Sequence, residues 1–400
     1  MSLMENQERS REDRLLRNVL FTFFVSGAAS QPLGSLLPLL RKAHGFSYDF
    51  QGLLLSCQSV GNLAAVLLTG FLPAYLGRRK TILTTAVWMA AGYLIFTSGL
   101  GLPWLLLAAC FMTGIARGGN SNFSNTMVST LPGEKATRGF NLLHGAFAVG
   151  ALLSPLLLVL CTAGGNDGGW QIMTGILFVM SLCQILVYAR MPLPEEGVGQ
   201  GGERKGLDLS FLKVKQFWLG TLILFFYISA EYAITGWLVT YFQDVGVLSA
   251  DQAQMMNSLL WLVIFLGRML GAAVTGKISR NRLLVLDGVG FFAFFLLMFF
   301  SRSPGPVILG LMGAGLFMAT IYPTAFAFGS EYTKGNDLGN SIMILTGSAG
   351  GILTPSLVGF VAERAGDIRS GMAVVAVYTG LLLGCILLSV WSVEREKRKG

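Results

Sequence analysis

The chain has 400 residues, of which 53% are hydrophobic and only 12% are charged. Soluble globular domains carry about a quarter charged residues, so this balance argues against a soluble enzyme and against a disordered chain. The net charge of +8 does not indicate nucleic-acid binding, because the basic residues cluster at the ends of apolar runs and form no patch interleaved with stacking aromatic residues. The five cysteines lie within apolar segments without metal-ligand spacing, which favours packing over a metal site.

Apolar runs bounded by charges or turn residues predict twelve transmembrane helices, because about 20 apolar residues are needed to cross a bilayer. We number these spans 1 to 12 in chain order, and they cover roughly residues 16–40, 50–76, 81–100, 104–131, 139–163, 170–191, 215–242, 252–276, 282–301, 305–330, 338–362 and 371–392. The longest polar stretch follows span 6. The sequence therefore predicts an all-α membrane protein with an N-terminal six-helix bundle over 1–192, a cytoplasmic linker over 193–213 and a C-terminal six-helix bundle over 214–400.

The distribution of basic residues predicts the orientation of these spans. With both termini in the cytoplasm, the cytoplasmic tails and loops hold 22 of the 29 lysines and arginines, and the external loops hold five. Cytoplasmic loops of membrane proteins carry such an excess of basic residues. We therefore expect a multi-pass protein of the inner (cytoplasmic) membrane, with both termini inside.

The two predicted bundles repeat each other in sequence. Span 2 contains Gly61-Asn62 followed by Thr69-Gly70, and span 8 contains Gly267-Arg268 followed by Thr275-Gly276 at the same internal spacing. Other pairs agree in the same order, such as Asn141 with Asn340. Two repeats of six helices are typical of secondary transporters whose binding site lies near the midplane.

The loop after span 2 carries a glycine-rich basic motif. It reads Gly70-Phe-Leu-Pro-Ala74-Tyr-Leu-Gly77-Arg78-Arg79-Lys80, which is similar to the cytoplasmic loop signature of the major facilitator superfamily, with Ala74 where an acid is usual. The glycines allow a tight turn between two helices, and the basic run stays in the cytoplasm. From this resemblance we expect residues Gly70, Gly77, Arg78 and Arg79 to act in gating.

Within that superfamily the chain resembles the fucose–proton symporter branch along most of its length. The matching stretches are Leu36-Leu37-Pro38, Asn141-Leu142, Tyr227-Ile-Ser-Ala-Glu231, Tyr322-Pro323-Thr324 and Gly350-Gly351-Ile-Leu-Thr-Pro355. The acids that this branch holds in spans 1 and 4 correspond here to Gly34 and Ser121. Its sugar-binding asparagine in span 5 corresponds to Phe147. The resemblance therefore implies a sugar carrier fold, but fucose itself is not the expected substrate.

Two charges lie near the middle of predicted spans. A charge at the centre of a bilayer costs about 2.5–3.5 kcal/mol on insertion scales, so such residues are functional candidates by default. Arg117 in span 4 and Glu231 in span 7 are these charges, and the resemblance places both spans around a central cavity. We expect Glu231 to bind the coupled proton, with Arg117 as its partner. A permanent structural ion pair and an arginine that binds an anionic substrate are the alternatives.

Other candidates are polar or aromatic residues on the same spans. Arg117, Ser121 and Asn125 share one stripe of span 4, as Tyr227 and Glu231 do on span 7. The full predicted substrate set is Gln31, Asn62, Arg117, Ser121, Asn125, Asn141, Phe147, Tyr227, Glu231, Trp237, Trp261 and Tyr322. Interhelical hydrogen bonding is the competing interpretation of the amides, and packing that of the tryptophans.

Three further residues titrate or carry charge near the predicted cytoplasmic ends. His144 in span 5 is a candidate proton relay, because histidine titrates near neutral pH, and a packing role is equally compatible with its position. Arg268 and Asp287 lie near the ends of spans 8 and 9, where we expect a gate or a structural pair.

The sequence holds no phosphate-binding glycine loop, no nucleophile–histidine–acid set and no His/Cys metal cluster, so we expect neither an enzyme nor a cofactor. The prediction is a monomeric secondary transporter that moves a sugar-like small molecule with a proton by alternating access. A transporter of organic anions or amphipathic drugs by proton antiport is the main alternative. A membrane receptor that binds ligand without moving it is a third.

Overall fold

A computed structural model describes residues 3–193, 209–274, 277–333 and 337–397. Within these ranges the chain is almost wholly helical and contains no β-strand. The α-helices of the described residues are α1 (Leu3–Ser30), α2 (Pro32–His44), α3 (Tyr48–Leu76), α4 (Arg78–Thr97), α5 (Pro103–Ser129), α6 (Gly133–Thr162), α7 (Gly169–Arg190), α8 (Lys215–Val245), α9 (Ala250–Val274), α10 (Arg280–Phe300), α11 (Pro304–Met318), α12 (Ile321–Glu331), α13 (Asp337–Ala365) and α14 (Ile368–Lys397).

The predicted all-α membrane fold is confirmed. Eleven helical segments of the described residues are long and apolar enough to cross a bilayer, and they correspond to every predicted span except span 4. That span is α5, a 27-residue helix whose second half contains the polar run Arg117–Asn125. The helix has the length of a spanning segment, and only its polarity separates it from the others.

Two of the predicted spans are broken helices. Span 1 consists of α1 and α2, separated at Gln31, and span 10 consists of α11 and α12, separated at Ala319 and Thr320. Pro32 lies at the start of α2 and Pro323 within the first turn of α12. A proline cannot donate a hydrogen bond to the carbonyl four residues earlier, so each break falls just upstream of its proline. Discontinuous spans of this kind commonly line the binding sites of transporters.

The chain forms two compact units. The first comprises Met1–Gly45 with Cys57–Gln200, and the second comprises Phe46–Ser56 with Gly201–Gly400. The predicted linker lies mostly in residues 194–208, which are outside the described residues.

Glycines bring helix backbones into direct contact in the first unit. Gly150 of α6 lies against the carbonyl of Phe24 in α1, and Gly27 of α1 lies against the carbonyl of Phe147 in α6. Gly114 of α5 packs in the same way on the carbonyl of Gln58 in α3. Small residues allow this close approach, which supplies van der Waals contact where lipid gives no hydrophobic drive between helices.

In the second unit, α8 is the central helix and packs against α13, α14, α12 and α9. The segment Phe46–Ser56 joins this unit through polar contacts at the Tyr48 end of α3. The Tyr48 hydroxyl donates to Asp244 of α8 at 2.5 Å, and its backbone N–H donates to Glu363 of α13 at 2.8 Å. Ser56 donates to the carbonyl of Ile352 at 2.5 Å. These contacts attach the first three turns of α3 to α8 and α13.

Candidate functional site

Four of the predicted residues lie together in the second unit: Tyr227 and Glu231 of α8, Arg268 of α9 and Tyr322 of α12. The rings of Tyr227 and Tyr322 have centroids 6.2 Å apart, at 49° to each other. Glu231 lies one helical turn after Tyr227, and its charge acts on both tyrosine hydroxyls. The charge of Arg268 also acts on Tyr227. We call these four residues the tyrosine–glutamate cluster.

The Tyr227 hydroxyl is the unusual group of this cluster. The side chain is 1% exposed, yet its hydroxyl makes no hydrogen bond of good geometry with any described residue, although the Glu231 carboxylate is nearby. Buried hydroxyls are almost always hydrogen-bonded, because leaving one unpaired costs about 1–3 kcal/mol. A buried hydroxyl that has no well-formed hydrogen bond to the described residues, beside a carboxylate and a second tyrosine, is therefore a position at which a polar solute can bind.

One face of α9 carries a further polar group beside the tyrosine–glutamate cluster. Trp261 precedes Arg268 by seven residues, which places both on one face of the helix. The indole N–H of Trp261 is buried and has no acceptor among the described residues. Arg268 is exposed and makes no ion pair with them. This face of α9 thus offers two donors that the described protein groups leave available.

The expected pairing of Arg268 with Asp287 does not occur. Asp287 of α10 is 5% exposed and accepts a hydrogen bond from the Thr320 hydroxyl at 2.5 Å, and it forms no ion pair with the described residues. The charge of Arg268 acts on Tyr227. Both residues had been placed only by depth along their helices, which leaves the facing direction of each side chain undetermined, and a gating role for either residue stays a prediction.

Trp237 lies within the packing of the second unit. Its side chain is 0% exposed, and its indole N–H donates to the carbonyl of Pro355 at 3.1 Å. Tyr48 lies beside its ring, with centroids 6.2 Å apart. These contacts correspond to the packing interpretation of this tryptophan.

In the first unit, α5 carries three of the predicted residues on one stripe. Arg117, Ser121 and Asn125 are all half-buried, and the Asn125 amide donates to the Ser121 carbonyl of its own helix at 2.8 Å. Asn62 of α3 is half-buried. Gln31 lies at the break between α1 and α2, is 8% exposed, and its amide nitrogen has no acceptor among the described residues. The predicted pairing of Arg117 with Glu231 stays a prediction.

The predicted residues of span 5 lie on α6. His144 is exposed and approaches Phe23 of α1 edge-on, with ring centroids 6.2 Å apart, and Phe147 packs on the same Phe23 ring at 5.1 Å. The side chain of Asn141 is outside the described residues. A relay function for His144 and binding functions for Phe147 and Asn141 therefore remain predictions.

A buried polar network in the first unit was not foreseen. Ser26 of α1 accepts hydrogen bonds from Asn120 of α5 at 3.1 Å and from Gln184 of α7 at 3.2 Å, and Thr85 of α4 donates to Asn120 at 3.3 Å. Helical periodicity places Asn120 away from the Arg117 stripe, and the structure buries it completely. The available signal was the pair Thr22 and Ser26, one turn apart in the apolar second half of α1.

The loop motif has a visible structural function in this unit. Gly77 has a φ of +76° at the start of α4, which glycine adopts without strain. The Arg79 guanidinium donates to the carbonyls of Tyr188, Ala189 and Met191, so it caps the end of α7. Arg78 lines a cavity of about 70 Å³ between α3, α4 and α5. The surroundings of Gly70 are outside the described part of the structure.

Comparison with known proteins agrees with this architecture. An uncharacterized MFS-type transporter of Yersinia pestis is 24% identical over 381 residues, which are 93% of this chain and 94% of the relative. A putative glucose/galactose transporter of Helicobacter pylori is 25% identical over 250 residues, covering 59% of this chain and 58% of the relative. The crystal structure of the E. coli fucose:proton symporter FucP superposes with a TM-score of 0.60 at 20% identity, covering 94% and 98% of the two chains, which is a likeness of fold.

Residues 19–334 match the sequence profile of the Major Facilitator Superfamily. That match covers more than half of the chain, and the helical architecture agrees with it. The chain therefore belongs to the Major Facilitator Superfamily, a family of transporters rather than enzymes.

Proposed function

We propose that this transporter moves a sugar or a related polyhydroxylated small molecule across the cytoplasmic membrane together with a proton. The observation that carries the proposal is the buried Tyr227 hydroxyl beside the Glu231 carboxylate; this hydroxyl makes no hydrogen bond of good geometry with the described residues. Tyrosine rings present flat apolar faces to the C–H groups of a sugar, and hydroxyl and carboxylate oxygens bind its hydroxyl groups. The names of the glucose/galactose and fucose:proton relatives agree with this chemistry.

Glu231 supplies the proton coupling in this proposal. It lies at the middle of α8, where a carboxylate is costly in the membrane and neutralisation by a proton relieves that cost. A solute that hydrogen-bonds to the Tyr227 hydroxyl and to Glu231 changes the surroundings of the carboxylate. Binding of the solute and binding of the proton are then linked, because each alters the free energy of the other.

We expect Glu231→Gln to abolish uphill uptake driven by a pH gradient and to leave solute exchange within about threefold of wild type, because exchange needs no net proton movement. The measurement is uptake of radiolabelled D-glucose and D-galactose by proteoliposomes, with and without an imposed pH gradient. Glu331→Gln is the control, since this residue forms an exposed ion pair with Arg280, and such pairs contribute little. Uphill uptake by Glu231→Gln at the wild-type level would contradict the coupling role.

An organic anion is the second candidate cargo, and the exposed Arg268 on α9 favours it. D-Glucose and D-glucuronate form a matched pair of solutes that differ by a carboxylate, which an arginine binds bidentately. Our proposal expects uptake of glucose to exceed that of glucuronate and Arg268→Gln to change glucose uptake by less than about threefold. Preferred uptake of glucuronate, lost by about 100-fold in Arg268→Gln, would replace the sugar proposal with the anion carrier. Arg117→Gln tests the corresponding prediction for span 4 in the same assay.

A further inference from the structure

Asp287 is a carboxyl group in the membrane that the proposed solute site does not use. It lies two turns into α10 and is 5% exposed. Its single hydrogen-bond donor among the described residues is the Thr320 hydroxyl, at 2.5 Å. A carboxylate with one neutral donor is poorly compensated in a membrane interior, since buried carboxylates otherwise have a cation or several donors.

The elements that pack against α10 bring no compensating charge to Asp287. The helix packs against α11, α14 and α12. Helix α11 has no ionisable side chain, and α12 has Tyr322 in the tyrosine–glutamate cluster and Glu331 paired with Arg280. Beside Asp287, the neighbouring Gly288 faces Leu383 and Ile386 of α14. The remaining titratable or charged side chains on α10 and α14 whose positions are described are Arg282, Arg369, Tyr378, Cys385, Glu394 and Arg395, and none of them forms an ion pair with Asp287.

The corresponding contact in the first unit is neutral. Spans 3 and 4 of the sequence repeat correspond to spans 9 and 10, and Thr85 of α4 meets Asn120 of α5 just as Asp287 of α10 meets Thr320. In the first unit this contact holds two helices together without an ionisable group. A neutral pair is therefore sufficient for packing at this place in the fold. Packing alone therefore does not explain why the second unit has a carboxyl group at this position.

Thr320 connects Asp287 to the solute site through the break in span 10. Thr320 is the residue immediately before α12, and Tyr322 follows two residues later in its first turn. Gly267 and Gly271 of α9 lie directly against Ala319 and Thr320. Because these glycines have no side chains, α9 can pack closely against the break. Tyr322 in turn lies against Tyr227. A change in the Asp287–Thr320 hydrogen bond therefore acts on the segment that positions Tyr322.

We propose that Asp287 is a second proton-binding site of the transporter and that its protonation acts, through Thr320 and the break between α11 and α12, on the position of Tyr322 in the tyrosine–glutamate cluster. The ionised carboxylate accepts a charge-assisted hydrogen bond from Thr320, whereas the protonated carboxyl accepts a weaker one. The proton enters from solution onto a carboxylate oxygen, and no other bond forms or breaks. The role in transport rests on the proposed function, and the proton-binding itself does not.

Infrared difference spectroscopy of the purified full-length protein in lipid tests proton binding without any solute. Between acidic and alkaline buffer we expect one component of the protonated-carboxyl C=O absorption to be present in wild type and in Glu231→Gln and to be missing from Asp287→Asn, in which the component from Glu231 remains. Asparagine keeps the shape of the side chain and can accept from Thr320, which favours folding of the variant. Thr320→Val provides a second measurement, because loss of the hydrogen bond to the carbonyl moves the band to higher frequency. A titrating band unchanged in Asp287→Asn and in Thr320→Val would overturn the proposal.

Proteoliposome uptake of D-glucose then tests the function of the site. We expect Asp287→Asn to lose accumulation driven by a pH gradient and to keep exchange within about threefold of wild type. Thr85→Val is the matched control, because it removes the corresponding neutral contact in the first unit. Undiminished gradient-driven accumulation in Asp287→Asn would overturn the coupling role. Absence of glucose uptake by wild type would contradict the proposed sugar function alone, since the infrared band is measured without solute.

Discussion

Gly150→Val is expected to prevent stable assembly of the first unit, whereas Gly145→Val, five residues earlier on the same helix, is expected to be tolerated. Any side chain at Gly150 overlaps the backbone carbonyl of Phe24 and crowds the backbone of Ala28, while nothing lies within 4 Å of the corresponding position at Gly145. Both sites are in α6, so the intrinsic helix propensity of valine is the same at each. The difference between the two variants therefore reports the helix contact alone.

Overpacking costs about 1–3 kcal/mol when side chains can move, and a backbone partner cannot move away as a side chain can. We expect a cost of at least about 3 kcal/mol for Gly150→Val, which corresponds to a fall in Tm of roughly 6–12 °C, or loss of folded protein during expression. Thermal unfolding of the purified variants in detergent, followed by size-exclusion chromatography, measures this. Equal melting temperatures for the two variants would show that α1 and α6 can separate without cost.

Trp237→Ala is expected to destabilise the second unit by about 3–5 kcal/mol, because Trp237 has the largest fully buried side chain among the described residues of that unit. Trp237→Phe keeps an aromatic ring and removes the donor to the Pro355 carbonyl, so its cost should be nearer ~1 kcal/mol. Trp104→Ala is the control, since that tryptophan is 65% exposed at the start of α5. Thermal unfolding without solute gives the ranking.

The same variants separate packing from a direct solute contact at Trp237. If the residue acts in packing, a Trp237→Phe protein that folds should transport D-glucose with an unchanged KM. A large increase in KM at unchanged stability would instead support the sugar-stacking hypothesis for this residue.

Hydropathy alone was sufficient to locate the membrane spans. The long apolar runs are a strong signal because a spanning helix must satisfy its backbone internally and present apolar side chains to lipid. Helix α5 shows the limit of that signal, since Arg117 and the amides that follow make it the least apolar span. The span was nevertheless predicted from the apolar run that opens the helix, before the polar residues begin.

The breaks in spans 1 and 10 were visible in principle and were missed. Pro32 and Pro323 lie inside apolar runs, where hydropathy counts residues without regard to backbone donors. A proline in a transmembrane run can also produce a mere kink: Pro155 lies within the uninterrupted α6. Whether a proline breaks or bends a helix depends on the neighbouring helices, which a local pattern does not contain.

Only part of the tyrosine–glutamate cluster could be predicted from sequence. Tyr227 and Glu231 are four residues apart on one helix, so their proximity follows from helical periodicity. Tyr322 and Arg268 reach them from α12 and α9 through tertiary packing, which fixes the direction of each side chain. The contact of Asp287 with Thr320 has the same origin, and for that reason sequence reasoning did not predict it.

The glycine contacts between α1 and α6 and between α3 and α5 have a consequence for the interpretation of mutational scans. A scan of every substitution in this chain should find its least tolerant positions at residues such as Gly27, Gly114 and Gly150, where even one added carbon atom meets a neighbouring backbone. Substitution of a polar residue that contacts the solute can abolish transport while the protein still reaches the membrane. Intolerance measured by abundance and intolerance measured by transport should thus map to different positions, and only their difference identifies the residues that select the cargo.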